Sequence, residues 1–257
     1  MFVLADHLLH PEGDALPRDV DAQAAAAILA RGVACRPPVS GAIYGTLLND
    51  RAALEALGDA MHAAPYKSPP KAPVLYLKPR NTLAGHRAQI VIPDDTLGVE
   101  IGASLGIVIG RTATQVSVER AFDYIAGYTV VADLSVPHAS VYRPSVRFRA
   151  RDGFCVVGPA VVAARHVANP DDLAIAVSLN GAGAIAASTA SSVRGVARLL
   201  ADVTEFMTLA AGDVITLGVS HGSPIAHVGD AATLSIGALP TLHVSFTGPK
   251  ELDGEQP

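Results

Sequence analysis

Three arginines alternate with apolar or small residues in the stretch 143-RPSVRFRAR-151. On a strand, Arg147, Arg149 and Arg151 would share one face, because alternate side chains point to the same side. Three guanidinium groups on one face repel one another unless anions lie between them, and a small tricarboxylate is one such anion. Lys78 could extend the same basic pocket. The alternative is a solvated face that Asp and Glu side chains of neighbouring strands neutralise.

A second stretch, 99-VEIGASLGIVIGR-111, has the composition of a buried strand, with acidic residues at its start. Asp94 and Asp95 precede it, and Glu100 lies within it. Hard cations such as Mg²⁺ take oxygen ligands, and residues two apart on a strand share a face. The stretch is therefore either one wall of a metal site or the place of a metal site whose ligands are missing.

Strands must position most of these residues. In the last two thirds of the chain, Gly, Pro and Asp separate short apolar runs, which is typical of consecutive strands. Strands and helices do not alternate regularly, so we predict a β-rich α+β fold with a few peripheral helices. The predicted strands lie near 42–49, 74–79, 89–92, 99–110, 127–134, 145–151, 155–164, 173–179, 213–217 and 240–246, and the predicted helices at 50–63, 117–125 and 191–207.

The composition argues against several classes of protein. Half of the 257 residues are apolar and 17% are charged, so the chain can bury a large core. The net charge of −5 disfavours a nucleic-acid-binding protein, which usually carries a basic surface. Two cysteines make no disulfide framework, the first residues lack a signal-peptide pattern, and no apolar run has the length of a membrane helix. We therefore expect a cytoplasmic protein.

The N-terminal segment, residues 1–40, is predicted to be an extension with one helix. Its alanine-rich stretch 20–31 favours a helix, with Asp19 or Asp21 as the cap. We assign residues 41–257 to one catalytic-type domain.

Five segments match one family in both order and spacing. Over about 42–248 the chain resembles the fumarylacetoacetate hydrolase superfamily, whose catalytic domain is a β-roll. More narrowly, 65-PYKSPPKAPVLYLKPRNT-82 and 149-RARDGFC-155 resemble the N-terminal half or subunit of the isomerase/decarboxylases of 4-hydroxyphenylacetate breakdown. That resemblance implies isomerisation of 5-carboxymethyl-2-hydroxymuconate and magnesium-dependent decarboxylation of 5-oxopent-3-ene-1,2,5-tricarboxylate. The matching segments are 74-VLYLKPRNT-82, 105-LGIVIGR-111, 127-GYTVVADLS-135, 153-GFCVVGP-159 and 212-GDVITLG-218.

The same resemblance implies a metal site that lacks most of its ligands here. Catalytic members bind Mg²⁺ or Mn²⁺ with a Glu-x-Glu pair on one strand and an Asp on a later strand. Gly102 and Ser104 occupy the two Glu positions, and Asp133 matches the later Asp. Glu100 lies one step too early to substitute without a bulge or a register shift. We expect no cofactor on this chain alone and magnesium in a partner subunit.

Isomerisation of a hydroxymuconate moves a proton along a conjugated dienol, so an acid or base with anion anchors could catalyse it without metal. His138 and His221 are candidates for the proton transfer. Arg149 falls near a family lysine, and arginine stays protonated, so it would hold a carboxylate. Ser220 lies at the family's substrate turn. The candidate catalytic residues are thus His138, His221 and Arg149, and the candidate substrate-binding residues are Lys78, Arg147, Arg149, Arg151 and Ser220.

Three functions remain open at this point. The first is an isomerase/decarboxylase subunit, and the second is a non-catalytic structural partner of a metal-bearing homologue. The third is a hydrolase of an acylpyruvate-type substrate, against which the missing Glu pair argues. We expect a small dicarboxylate or tricarboxylate as substrate, and a homo-oligomer such as a dimer or a hetero-oligomer with a homologous subunit. We expect neither nucleic acid nor membrane as a partner.

Overall fold

The computed structural model describes residues 4–138 and 145–249. Within these residues the chain forms 16 strands, most of them short, and four α-helices. Turns and short 3₁₀ segments join them. The strands are β1 His7–Leu9, β2 Arg18–Val20, β3 Ile43–Leu47, β4 Val74–Lys78, β5 Leu83–Ala84, β6 Gln89–Val91, β7 Val99–Ile109, β8 Ile125–Ser135, β9 Cys155–Val157, β10 Ala160–Ala163, β11 Ala174–Leu179, β12 Ala182–Ser188, β13 Val214–Thr216, β14 Ile225–Ala226, β15 Ala231–Ile236 and β16 Leu242–Thr247. The helices are α1 Ala22–Ala30, α2 Arg51–Leu57, α3 Val146–Arg149 and α4 Val196–Thr204.

Two mixed sheets form the core. The larger, 11-stranded sheet runs β2-β1-β10-β8-β7-β13-β3-β4, with β5, β9 and β14 off this path. The smaller, 5-stranded sheet runs β12-β11-β15-β16-β6. One apolar cluster joins them, since Leu105 and Tyr128 of the larger sheet belong to the same buried cluster as Leu234 and Phe246 of the smaller one. The predicted class, a β-rich α+β fold of mixed sheets with few helices, is confirmed.

The antiparallel pair β7 and β8 forms the centre of the larger sheet. Each strand has 11 residues, and nearly all of them are buried on both faces. Such strands contain continuous apolar runs rather than an apolar–polar alternation, which is why both were predictable. Their register places Glu100 opposite Ser135 and Gly102 opposite Asp133. The register therefore brings the candidate metal positions of the two strands side by side.

The predicted strand at 145–151 is wrong, because α3 occupies Val146–Arg149. The backbone N–H groups of Phe148 and Arg149 both donate to the carbonyl of Ser145, which closes a helical turn. The Phe148 ring stacks on the His138 ring, with centroids 4.9 Å apart. An alternation over so few residues fits a strand and one helical turn almost equally well, and this tertiary contact favours the turn.

The N-terminal segment contributes strands as well as its helix. Asp21 caps α1 by accepting a hydrogen bond from the N–H of Ala24, so the second of the two predicted caps is the one used. Strand β1 pairs with β10, which attaches this segment to the larger sheet. The division of the chain at residue 41 stays a prediction. None of the helices in the described ranges has the length and apolar character needed to cross a membrane.

Candidate active site

A buried ion pair lies at the end of β4 and β8. The Nζ atom of Lys78 is 2.6 Å from Oδ1 of Asp133, and both side chains are only 1% exposed. Lys78 Nζ also donates to the carbonyl oxygens of Leu134, Arg149 and Phe154 at 3.0, 3.1 and 2.9 Å. An ammonium group has three protons to donate, so protein acceptors satisfy it fully. Lys78 therefore lies behind Asp133, fixed in place.

Burial acts on the two partners in opposite directions. It lowers the pKa of the Lys78 ammonium and raises the pKa of the Asp133 carboxyl, whereas the Arg149 guanidinium beside Asp133 lowers that carboxyl's pKa. Removing two charges from water is costly, and the pair remains charged only if attraction and hydrogen bonds compensate. The three carbonyls compensate the Lys78 ammonium, and Arg149 compensates the Asp133 carboxylate, although the same guanidinium also lowers the pKa of Lys78.

Arg149 and Tyr76 complete the cluster on the side that faces solvent. Arg149 Nη1 is 3.7 Å from Asp133 Oδ1 and 3.4 Å from the Tyr76 hydroxyl, and the Tyr76 hydroxyl donates to Asp133 Oδ2. The guanidinium carbon lies 4.9 Å from the centre of the Tyr76 ring, a cation–π distance. Arg149 Nε has no hydrogen-bond partner within the described chain, although it is buried. Tyr76 and Asp133 thus hold the Arg149 guanidinium where it lines an adjacent cleft.

A cleft of about 330 Å³ opens above the cluster. Its volume suits a small organic acid. A loop at 218–223 forms one wall, and Asp50 ties this loop to the start of α2: its Oδ1 accepts from the N–H groups of Ala53 and His221 at 2.9 and 3.3 Å. The lining side chains that can bind or transfer protons include Glu100, Asp133, Ser135, Arg149, Ser220 and His221.

Four of the sequence-predicted site residues meet in this cleft: Asp133, Arg149, Ser220 and His221. Lys78 lies beneath it, so the structure supports a positioning role for Lys78 in place of the predicted contact with substrate. Tyr76 was missed, although the strand period offered a signal, since Tyr76 and Lys78 are two apart on β4 and share a face.

The prediction that three arginines share one face is wrong. Arg147 and Arg151 are four residues apart and lie on one side of the α3 turn, where both bind Asp95 at 3.3 and 2.8 Å. Neither lines the cleft. Asp95 thus forms a surface ion pair with each of these two arginines, and Arg149 alone turns inward.

His138 also lies outside the residues that line the cleft. Its Nδ1 lies 2.9 Å from the Val136 carbonyl oxygen, and its ring stacks on Phe148. A donated bond from Nδ1 leaves Nε2 as the atom with the lone pair, and Nε2 has no partner within the described residues. The geometry supports His138 as a packing residue of α3, and its proton-transfer role stays a prediction.

The residues at the expected metal position do not fit a Mg²⁺ ion. Asp133 Oδ1 lies 2.6 Å from the Lys78 ammonium, and Asp133 Oδ2 accepts a hydrogen bond from the Tyr76 hydroxyl. A Cβ atom at Gly102 would lie 2.6 Å from Cγ1 of Val219, so this side chain fills the space of a ligand. The Ser104 hydroxyl donates to the Gly218 carbonyl at 2.7 Å. Two cations, Lys78 and Arg149, already neutralise the one matching carboxylate.

Comparison with known proteins places this chain in a family. Residues 42–247 match the family described as fumarylacetoacetate (FAA) hydrolase C-terminal. The chain belongs to the fumarylacetoacetate hydrolase family. Its fold is the mixed β-roll of that family, as predicted.

Two curated relatives from Escherichia coli and one solved structure illustrate the similarity. The chain is 37% identical over 214 residues to a 4-hydroxyphenylacetate degradation bifunctional isomerase/decarboxylase, covering 83% of this chain and 49% of the relative. It is 30% identical over 171 residues to oxaloacetate tautomerase YcgM, covering 65% of this chain and 78% of that one. The structure of 5-carboxymethyl-2-hydroxymuconate delta-isomerase from Mycobacterium smegmatis superimposes with a TM-score of 0.72 at 27% identity, covering 84% and 81% of the two chains. The chain thus spans about half the length of the isomerase/decarboxylase that it matches.

Proposed function

We propose that this chain isomerises a hydroxymuconate-type tricarboxylate, 5-carboxymethyl-2-hydroxymuconate, as one subunit of an isomerase/decarboxylase of 4-hydroxyphenylacetate degradation. The observation that carries the proposal is Arg149, whose guanidinium contacts Tyr76 and Asp133 and lines a small cleft. Guanidinium is the group of choice for holding a carboxylate. Relatives named as an isomerase/decarboxylase and a muconate isomerase support the substrate class.

The reaction needs little more than anchoring and one proton shift. Arg149 would hold a carboxylate of the substrate, and the Ser220 hydroxyl, on the opposite wall, would bind another. Lys78 and Asp133 would position Arg149, because they fix the carboxylate on which its guanidinium rests. His221, also in the cleft, remains a candidate for moving a proton. No step of this scheme passes through a metal ion.

Decarboxylation would then belong to a partner. The family's metal-dependent chemistry requires carboxylate ligands, and the corresponding positions here hold Gly102 and Ser104. A homologous subunit with the Glu-x-Glu pair would supply magnesium in a hetero-oligomer. The proposed setting is the cytoplasm, where such catabolic enzymes find their small substrates.

The test is an activity assay of the purified chain on 5-carboxymethyl-2-hydroxymuconate, followed by ultraviolet absorbance. We expect the chain to catalyse isomerisation at the same rate with millimolar Mg²⁺ and with excess EDTA. We expect decarboxylation only after a metal-bearing homologue is added. An Arg147→Gln variant is the matched control for Arg149→Gln, since both remove one guanidinium from α3. Isomerisation that EDTA abolishes would contradict the proposal.

A second function, a non-catalytic structural partner of a metal-bearing homologue, has support from one observation: Gly102 and Ser104 occupy the positions at which the family has its carboxylate ligands. In that case the isolated chain would be inactive, and the Arg149→Gln variant would accelerate a mixed assembly as well as the unaltered chain does. Activity of the isolated chain separates the two functions.

A further inference from the structure

The cleft contains one carboxylate without a cation partner, Glu100. It lies on β7 and lines the cleft, and its Oε2 accepts a hydrogen bond from the Ser135 hydroxyl at 3.2 Å. Among the ion pairs of the described residues, none involves Glu100, although Asp133 in the same cleft has two. A negatively charged side chain in this cleft repels an anionic substrate and weakens its binding. Its presence there therefore suggests a role in the reaction.

Two other charged groups of the cleft are poorly suited to transferring a proton, and the third candidate, His221, is less shielded from water than Glu100. Asp133 is fully buried and bound by Lys78 and Tyr76, and Arg149 stays protonated at any physiological pH. The His221 residue is exposed, and it is tied to Asp50 through its backbone N–H. Glu100 is half-buried and oriented by Ser135, which are the properties of a positioned acid–base residue.

The strand register places Glu100 near Arg149, the proposed anchor for a substrate carboxylate. Asp133, on which Arg149 rests, lies opposite Gly102, and Glu100 is two residues before Gly102 on β7. Residues two apart on a strand share a face and lie roughly 6–7 Å apart. Glu100 and Asp133 therefore lie on the same side of the β7–β8 pair, and both line the cleft together with Arg149.

We propose that Glu100 is a catalytic residue that carries the proton in the isomerisation. This rests on the proposed function. The carboxylate of Glu100 accepts the proton of the enol hydroxyl, and the O–H electron pair becomes the second bond of a carbonyl. The π pair next to the hydroxyl-bearing carbon moves to the central C–C bond, and the second π pair forms a C–H bond at the far carbon with the proton returned by Glu100. One O–H bond breaks, one C–H bond forms, the carboxylate is regenerated, and no oxidant or metal is consumed.

The first variant is Glu100→Gln, which keeps an oxygen for the Ser135 hydroxyl and so preserves the local hydrogen bond. We expect kcat to fall at least about 100-fold, with KM changed by less than about 3-fold, since general acid–base catalysis contributes that much or more. Asp95→Asn is the matched control, because it neutralises an acidic residue outside the cleft, and its kcat should not change. Thermal denaturation of both variants checks that they fold. Unchanged kcat in Glu100→Gln, or a comparable loss in His221→Gln alone, would overturn the proposal.

A second measurement separates this proposal from the choice of substrate. In D₂O, proton NMR follows deuterium exchange at C3 of 2-oxoadipate, a dicarboxylic 2-oxo acid whose enolisation also needs an acid–base group, here to move a proton between C3 and the carbonyl oxygen. Exchange by the unaltered chain that stops in Glu100→Gln supports Glu100 even if 5-carboxymethyl-2-hydroxymuconate is not isomerised, and then only the proposed substrate is wrong. Isomerisation or exchange that persists in Glu100→Gln overturns Glu100 and leaves the function standing. An unaltered chain inert in both assays overturns both.

Discussion

Two arginines that lie two positions apart on α3 have opposite surroundings. The Arg149 side chain is 12% exposed and faces Asp133, whereas that of Arg147 is 78% exposed and faces Asp95. We expect Arg149→Gln to weaken binding of a tricarboxylate about 10- to 100-fold, because a hydrogen bond to a charged group contributes about 1.5–3 kcal/mol. Arg147→Gln should leave affinity unchanged. Isothermal titration with tricarballylate measures both, and equal affinities for the two variants would contradict the assignment of Arg149 as the anchor.

Lys78 tests whether the buried pair supports the site. Lys78→Met removes the ammonium that Asp133 contacts at 2.6 Å and leaves the buried carboxylate with Arg149, 3.7 Å away, as its remaining cation. We expect the free energy of unfolding to fall by about 3–5 kcal/mol, the cost of breaking a buried ion pair on one side. Urea denaturation measures the loss. The double variant Lys78→Met with Asp133→Asn should lose less than Lys78→Met alone, and a larger loss in the double variant would show that the two residues do not act as a pair.

At the scale of the element, the pairing of β3 with β4 sets the position of the Tyr76 ring. Gly45 lies opposite Tyr76 in the register, and a Cβ atom at Gly45 would overlap the ring. Because Gly45 has no side chain, the Tyr76 ring can lie over this position of β3. The same ring also contacts the Arg149 guanidinium. One backbone position of β3 therefore controls the geometry of the carboxylate anchor.

Gly45→Ala should accordingly destabilise the fold and weaken ligand binding together. We expect about 1–3 kcal/mol of lost stability from overpacking, and a fall in tricarboxylate affinity as Tyr76 moves away from Arg149. Gly183→Ala on β12 is the matched control, because a Cβ atom there meets nothing within 4 Å. Denaturation and titration calorimetry on both variants provide the comparison. Normal affinity in Gly45→Ala would mean that the Tyr76 ring is not needed to hold Arg149.

At the scale of the whole molecule, a buried histidine predicts how stability depends on pH. His86 lies beside His243, with ring centroids 5.3 Å apart, and burial, His243 and Arg87 lower the pKa of His86 to about 4. The unfolded chain binds a proton at this residue near pH 6.5, whereas the native chain does so only near pH 4. Unfolding therefore takes up protons between these values, and stability falls as the pH is lowered from about 6.5 to 4.

The His86→Gln variant isolates this contribution from the carboxylates that titrate in the same range. Its melting temperature should decline less steeply than that of the unaltered chain between pH 6.5 and 4, and the two curves should run parallel above pH 7. Differential scanning calorimetry at closely spaced pH values measures the difference. Parallel curves throughout the acid range would show that His86 titrates normally in the fold.

Local sequence alone determined the two long central strands, the presence of helix α1 and the family of the chain. Continuous apolar runs between turn residues define β7 and β8, and the motif around Asp133 depends only on neighbouring positions. Each of these features depends on residues that are close together in the chain, so the amino-acid sequence alone contains the pattern that predicts it.

Only the tertiary structure decided which of the basic residues face the cleft. Arg147 and Arg151 turn outward because Asp95, more than fifty positions earlier, forms an ion pair with each of them. Lys78 is fixed beneath Asp133 by carbonyls of β8 and of the α3–β9 connection, all far from it in sequence. Each outcome depends on the partner that the fold brings within hydrogen-bond distance, and the charge pattern of a short segment contains no information about that partner.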